Sequence, residues 1–316
     1  MGEIDTMTKQ YMKDNERFAD LINWFVFDGR HALDASELEE MDITSIAVAY
    51  LEKNFDAVQK ARDVLKKCVA KDAGNAFFVI FGIENQADIH NAMVVRNMLY
   101  DAICYENQVS KISNYNRKEK LVKNGEYLAG FRKDDKLIPV VTLTLYWGTK
   151  KWDGPKTLHE MFVDIPQDIK KLIPNYWINL ISPAEMDCKD INKLQTELNQ
   201  LFRAIRAGAE GPKALAGLAE DESFSKLSID SALLMGKIVN LDVKVPDEGG
   251  TVNMCEAMKE LKQMCYEDGR AEGRIETLMD FVKDLMRDEG KTFDEACAKV
   301  KATPKEAAII KDIIFK

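Results

Sequence analysis

The stretch Ala76-Phe77-Phe78-Val79-Ile80-Phe81-Gly82-Ile83-Glu84-Asn85-Gln86 contains the clearest strand signal of the chain, followed directly by polar residues. Its first eight residues are apolar or glycine, which is typical of a strand buried on both faces of a sheet. Glu84 and Gln86 are two residues apart and therefore project from the same face of such a strand. A carboxylate and an amide directed together from the end of a buried strand indicate a functional site rather than a core.

The residues before this strand predict its antiparallel partner. Residues 71–75 (Lys-Asp-Ala-Gly-Asn) are typical of a turn, so residues 62–69 and 76–83 are expected to form a hairpin. Such a hairpin can bring Asp63 towards Glu84, although neither periodicity nor composition establishes that the two carboxylates face each other. An interpretation in which Asp63 belongs to an exposed charged face stays open.

The remaining elements follow from periodicity and from residues that begin or end helices. We predict a helix over 14–27, a helix from Asp88 to about Lys111, a strand over 137–147, a short strand over 176–182 and a long charged helix over 252–288. Two short helices with capping boxes at Thr292 and Thr303 complete the pattern. These elements suggest a domain at 1–190, a helical extension at 191–246 and a charged helical tail at 247–316.

An apolar stripe on the long helix of the tail has two interpretations. Its residues Ile275, Leu278, Val282 and Leu285 recur at helical spacing. Packing within the chain is favoured over a dimer seam, but a homo-oligomer formed through the C-terminal helices stays open.

Composition and charge exclude several classes of protein. The 316 residues are 46% hydrophobic and 31% charged, with no run of 18 apolar residues, so we expect no membrane span. The six cysteines form no CxxC pair and the three histidines are isolated, which argues against zinc and favours reduced thiols in the cytoplasm. The first residues are acidic and lack the apolar segment of a secretion signal.

The net charge of −9 argues against a uniformly basic surface for nucleic acid, but the charge is uneven. The segment from 111 to 151 contains only four acids but ten basic residues: Lys111, Arg117, Lys118, Lys120, Lys123, Arg132, Lys133, Lys136, Lys150 and Lys151. A solvated loop and a phosphate-binding patch beside the site explain this excess equally well.

The polar residues of the hairpin suggest phosphodiester chemistry. Mg²⁺ prefers oxygen ligands and is commonly held by one or two carboxylates, which Asp63 and Glu84 could provide, and Mn²⁺ is the alternative ion. Gln86 could orient the attacking water, but it is neutral and cannot stabilise charge as a lysine would. Lys66, Lys67 and Arg96 are candidate phosphate ligands. For Arg96, a structural pairing with an acid or a carbonyl is equally favoured.

Several short motifs together resemble a known family over about residues 11–190. They are Asp14 to Asn23, Ala61-Arg62-Asp63-Val64-Leu65, Gly82-Ile83-Glu84-Asn85-Gln86, Met93 with Arg96 and Tyr100-Asp101, Thr142 to Gly148, and Trp152-Asp153-Gly154-Pro155 with Leu158-His159-Glu160-Met161. In this combination the chain resembles the recombination-promoting nuclease/putative transposase family, a branch of the PD-(D/E)XK nuclease superfamily.

The resemblance implies an α/β fold with a mixed sheet flanked by helices, followed by a helical C-terminal region. It implies that Asp63 and Glu84 bind Mg²⁺ or Mn²⁺, and that Gln86 stands where the motif D…ExK has lysine. It also implies an acidic ligand from the first helix, for which Asp14 and Glu16 are the candidates.

Two functions follow as expectations. The first is a metal-dependent DNA endonuclease associated with recombination, mobile elements or defence. The second is an inactive protein of the same fold that serves as a DNA- or protein-interaction module. The glutamine in place of lysine and the acidic net charge favour the second, and the intact trio Asp63, Glu84 and Gln86 favours the first.

Overall fold

A computed structural model describes residues 2–41, 63–72, 74–126, 128–246 and 249–315. Residues 61–62 of the family motif, residue 73 of the predicted turn, and residues 247–248 at the start of the predicted tail lie outside the described residues.

A five-stranded mixed sheet lies at the centre of the fold. Its strands are β1 (Glu39–Glu40), β2 (Val64–Asp72), β3 (Asn75–Gln86), β4 (Val140–Tyr146) and β5 (Asn179–Ile181), in that spatial order. β1 to β3 are antiparallel neighbours, whereas β3, β4 and β5 are parallel. A separate pair consists of β6 (Leu227–Ser228) and β7 (Thr251–Val252). The predicted hairpin, the second long strand and the short strand are thereby confirmed.

The turn between β2 and β3 is tight, with Asp72 paired to Asn75 and Gly74 at a φ of +81° that suits glycine. The prediction that β3 is buried on both faces is wrong at its start, where Phe77 is 41% and Phe78 56% exposed. β4 pairs with β3 only from Ile80 onwards, so the start of the hairpin extends past the rest of the sheet. Burial is complete from Val79 to Gln86.

Helices surround the sheet. They are α1 (Glu3–Tyr11), α2 (Asn15–Phe27), α3 (Met93–Lys118), α4 (Gln167–Lys170), α5 (Cys188–Ile191), α6 (Leu198–Glu210), α7 (Pro212–Ala216), α8 (Ile229–Val239), α9 (Met254–Asp288), α10 (Phe293–Lys299) and α11 (Pro304–Ile314). Short 3₁₀ turns cover Ala35–Glu37, Asn124–Glu126, Leu158–Met161, Pro183–Glu185, Gly217–Glu220 and Glu222–Phe224.

The helix predictions are largely confirmed, with two corrections. Residues 14–27 form α2, with Asp14 as its N-cap. α3 begins at Met93 rather than at Asp88, because the ring of His90 accepts a hydrogen bond from the backbone N–H of Ala92 and holds the preceding residues in a turn. α1 was not predicted at all.

α3 connects the parallel strands β3 and β4 and covers one face of the sheet, since the small cluster of Leu65, Ile80, Val140 and Cys104 joins the sheet to this helix. The opposite face packs in a large apolar cluster with α1, α2, α6 and α8. Its members include Tyr11, Phe18, Ile22, Val64, Phe81, Ile83, Leu145, Trp147, Phe202, Leu234, Met254 and Met258. This cluster continues across residues 190 and 246, where domain boundaries were predicted.

The end of α9 packs with α10 and α11 in a cluster of its own, which contains all four residues of the predicted stripe. The interpretation of the stripe as a packing face within the chain is therefore confirmed, as are both capping boxes. A homo-oligomer through these helices stays a prediction and would have to use other residues. Among the helices of the described chain, none has the length and apolar character required to cross a bilayer.

Candidate functional site

Two buried acids lie near the end of β3, Glu84 within this strand and Asp63 in the bend directly before β2. Val64 pairs with Ile83 in the antiparallel register, so the next pair in the series places Asp63 opposite Glu84. Asp63 is 5% exposed and Glu84 is fully buried. Asp63 Oδ2 accepts a hydrogen bond of 2.8 Å from the backbone N–H of Asn85, which fixes this carboxylate beside β3. Side chains of directly opposed residues are close neighbours, so the register favours a paired-carboxylate site.

Each acid has a cationic neighbour from a different helix. Arg96, in the first turn of α3, places Nη2 3.2 Å from Glu84 Oε2. Lys9, in the last turn of α1, places Nζ 3.8 Å from Asp63 Oδ1. The site therefore lies where α1 and the start of α3 meet the end of the central strand.

These neighbours influence protonation. Burial raises the pKa of Asp63, although the Asn85 N–H and the charge of Lys9 act in the opposite direction. Burial by itself would lower the pKa of Arg96, but the charges of Glu84 and Asp63 together with Tyr100 outweigh it and the pKa is raised. Arg96 Nε also donates to the hydroxyl of Tyr100 at 3.0 Å, so the guanidinium is held from two sides. The contact with Glu84 corresponds to the structural interpretation of Arg96, in which it pairs with an acid, and its role on phosphate stays a prediction.

Gln86 lies on the same face as Glu84 and is 8% exposed. Its Nε2 donates to the backbone carbonyl of Asn85 at 2.8 Å, which leaves the amide oxygen directed away from this bond. The side chain of Asn85 points to the opposite face, where its Oδ1 accepts from Trp147 Nε1 at 2.9 Å. The alternation along the strand thus separates the candidate site from the apolar core.

A polar layer continues from the site beneath α3. Asn97 Nδ2 donates to Thr144 Oγ1 at 2.8 Å, and Thr144 is the register partner of Glu84. Two residues earlier on β4, Thr142 Oγ1 donates to Asp101 Oδ1 at 2.5 Å. The hydroxyl of Tyr176 donates to the other oxygen of this carboxylate, Asp101 Oδ2, at 2.6 Å. These bonds join α3, β4 and the segment before β5 around the two acids.

The two lysines proposed as phosphate ligands lie elsewhere. Lys66 belongs to the face of β2 that packs on α2, is 1% exposed, and donates to the carbonyl of Lys13 at 2.6 Å and to the side chain of Asn15. A buried ammonium on the opposite face of the sheet is not positioned to contact a phosphate at the site. Lys67 shares the face of the site, but its Nζ lies 5.1 Å from the ring centroid of Phe78, towards the hairpin turn.

Neither candidate for the predicted acidic helix ligand, Asp14 or Glu16, forms a metal-binding group with Asp63 and Glu84. Asp14 caps α2, where it accepts a 3.0 Å bond from the N–H of Arg17, and Glu16 is exposed in the next turn. Across the described residues, no group of three or more His, Cys, Asp and Glu side chains is arranged to hold a metal ion. The helix acid whose charge acts on Asp63 is Asp5 of α1, which raises its pKa further.

The basic stretch divides between two places. Arg96 and Lys118 lie at opposite ends of α3, about 33 Å apart at 1.5 Å per residue. Lys111 to Lys136 therefore lie at the end of the helix remote from the site, which does not agree with a single patch beside it. Lys150 and Lys151 follow β4 at the site end and are exposed.

Sequence reasoning missed α1 and with it Lys9 and Asp5. The available signal was weak but present, because Ile4, Met7, Thr8 and Tyr11 recur at helical spacing and become partly or fully buried. Polar residues between them concealed the pattern.

The donors of the site can be compared with what a divalent ion requires. Two carboxylates and one amide oxygen form an oxygen-only set, which suits Mg²⁺ or Mn²⁺ completed by water and substrate oxygens. Two buried acids that lie close together need more nearby positive charge to stay ionised than two exposed acids would. The donor types present therefore fit such an ion, and its binding by Asp63 and Glu84 stays a prediction.

One comparison with known proteins identifies a family that covers the sheet and the candidate site. Residues 4–213, about two thirds of the chain, match the family model described as "Putative transposase, YhgA-like". This family belongs to the PD-(D/E)XK nuclease-like group. No curated protein matches significantly, and no solved structure does.

Proposed function

Because the chain belongs to the YhgA-like transposase family within the PD-(D/E)XK nuclease-like group, we propose that it is a metal-dependent endonuclease that hydrolyses phosphodiester bonds of DNA. The mobile-element theme comes from the family, whereas the reaction is inferred from the site. The observation that supports it most is the position of Asp63 beside the end of β3, where its carboxylate accepts from the N–H of Asn85, the residue that follows Glu84.

Asp63 and Glu84 would hold Mg²⁺ or Mn²⁺, and the bound ion would acidify water and neutralise charge on the phosphate. Their placement favours this role because both are buried, Glu84 within β3 and Asp63 in the bend directly before β2, where the Asn85 N–H binds its carboxylate. The Asn85 N–H orients Asp63, and Arg96 orients Glu84. Such supporting contacts are what keeps ligand oxygens in place.

Gln86 would orient the attacking water through its amide oxygen. Its Nε2 is engaged by the carbonyl of Asn85, which sets the rotation of the amide group. A water held by an acceptor can direct a lone pair at phosphorus, and this is a matter of positioning rather than charge. The glutamine is therefore compatible with hydrolysis provided that another group supplies positive charge.

The test is nicking of supercoiled plasmid DNA with MgCl₂ or MnCl₂, and with EDTA as the blank. Glu84→Gln and Asp63→Asn preserve side-chain size but remove the ligand charge. We expect each to reduce the rate by at least about 100-fold, the upper end of what loss of a supporting contact to a metal ligand costs. Asp168→Asn is the matched control, because that side chain is 95% exposed, and it should cleave like the native chain.

Melting curves establish that each variant is folded before rates are compared. Equal cleavage by the native chain and Glu84→Gln would reject the assignment of the site. Absence of cleavage by the native chain with either ion would favour the alternative of an inactive interaction module.

A further inference from the structure

The candidate site contains two acids and a neutral amide, so it needs a cation that can approach the substrate. Attack on a phosphodiester concentrates negative charge on the phosphoryl oxygens, and positive groups aimed at them stabilise that charge. Gln86 cannot supply it. Arg96 is directed to Glu84 and Tyr100, and Lys66 is buried on the opposite face of the sheet.

Lys9 differs from these cations in its position. It reaches the site from α1, and its side chain is 29% exposed, whereas that of Asp63 is 6% exposed. The ammonium therefore lies on the solvent side of the buried acids, where an incoming phosphate would arrive. At 3.8 Å its contact with Asp63 is an ion pair longer than a hydrogen bond, and its three N–H donors can turn towards an anion.

α1 holds this lysine in place. Thr8 and Tyr11 are buried on the helix face that packs against the core, and the hydroxyl of Tyr11 lies 2.9 Å from Ser231 Oγ of α8. The ring of Tyr11 also packs edge-on against Trp147, which follows β4. Lys9 is thus presented by a helix fixed at two places rather than by a loose terminus.

We propose that Lys9 contacts the scissile phosphate and supplies the positive charge that Gln86 lacks. This inference rests on the proposed endonuclease function. In the reaction, water gives its hydroxyl to phosphorus, the bond from phosphorus to the leaving sugar oxygen breaks, and that oxygen gains a proton. Lys9 forms no covalent bond and donates N–H···O bonds to a non-bridging phosphoryl oxygen throughout.

The experiment compares Lys9→Met, Lys9→Arg and a control, Lys13→Met, in the full chain. Lys13 is an exposed lysine just beyond the end of α1, so its loss removes the same charge from the neighbouring surface. Single-turnover cleavage with Mn²⁺ should fall by about 100-fold or more in Lys9→Met, as for loss of one charge-stabilising group. Lys9→Arg should cleave faster than Lys9→Met, and Lys13→Met should cleave at the native rate.

A second measurement does not depend on catalysis. Binding of a fluorescent DNA duplex in EDTA is followed by anisotropy between 50 and 200 mM salt. One lost phosphate contact should reduce the slope of log K against log salt by about 0.9 in Lys9→Met. Native rate and native slope in Lys9→Met would overturn the proposal.

The two proposals fail in distinguishable ways. If the native chain cleaves, Glu84→Gln does not and Lys9→Met does, only the assignment of Lys9 is wrong. If the native chain and Glu84→Gln behave alike, the endonuclease site is wrong, and the assignment of Lys9 falls with it.

Discussion

The two faces of the central sheet are built from opposite chemistry. The face towards α1, α2 and α6 is mostly apolar, with Phe81, Leu145 and Trp147 packed on the helices and with Lys66 and Asn85 as buried polar residues. The face beneath α3 is apolar near Leu65 and Ile80 and again where Tyr146 packs with Met93 and Val94. Its polar residues include Thr142, Thr144 and Glu84. The first face supplies stability, because burial of apolar surface is favourable. The second needs hydrogen bonds and ion pairs to tolerate its own burial, which is expected of a functional site.

The largest expected effect on stability concerns the apolar face. Phe81→Ala should lower the free energy of unfolding by about 3–5 kcal/mol, the usual cost of removing a buried phenylalanine. Phe78→Ala is the matched control on the same strand, because Phe78 is 56% exposed, and its cost should stay below about 1 kcal/mol. Urea unfolding followed by circular dichroism measures both. Similar costs for the two would contradict the assignment of the core to one face.

A second effect tests the ion pair on the polar face. Arg96→Met leaves Glu84 buried without its guanidinium and should destabilise the fold by about 3 kcal/mol. Adding Glu84→Gln removes the stranded charge, so the double variant should recover part of this loss. Arg287→Met is the control, because it removes an exposed ion pair with Asp288. Its free energy of unfolding should equal that of the native chain.

The double-mutant cycle gives the coupling between the two side chains directly. Coupling indistinguishable from zero would mean that Arg96 does not stabilise Glu84, and the comparison between the faces would lose its main support.

The smallest expected effect is the pH dependence caused by Asp63. Burial raises the pKa of this group in the folded state, so the folded state holds the proton more tightly than the unfolded state does. Its stabilising contribution is complete below the unfolded pKa of about 3.9 and is lost as the pH rises through the folded pKa. Asp63→Asn cannot ionise and should melt higher than the native chain at pH 8.

The difference in Tm should shrink as the pH approaches 4, with all scans recorded in EDTA. A constant difference across this range would indicate that Asp63 is not the titrating group. An inactive but more stable variant would also match the usual conflict between stability and function at such sites.

Much of the hairpin and of its polar end could be read from the residues. The turn before Asn75 fixes which residues of β2 and β3 pair, and period-two alternation then places Glu84 and Gln86 on one face. Capping boxes likewise marked the starts of α10 and α11. These features depend on neighbours within a few positions in the chain, which is why local patterns predicted them.

The partners of the acids depended on the tertiary structure. Nothing local indicates that Lys9 reaches Asp63, which lies 54 positions further along the chain. Arg96 meets Glu84 only because α3 starts at Met93 and crosses the end of β3. The sequence by itself determined the hairpin, the later strands β4 and β5, and the placement of Glu84 and Gln86 on one face at the end of β3. The packing of α1 and α3 decided which cations stand beside those acids, because contacts between distant segments are set by how whole helices bury their apolar faces.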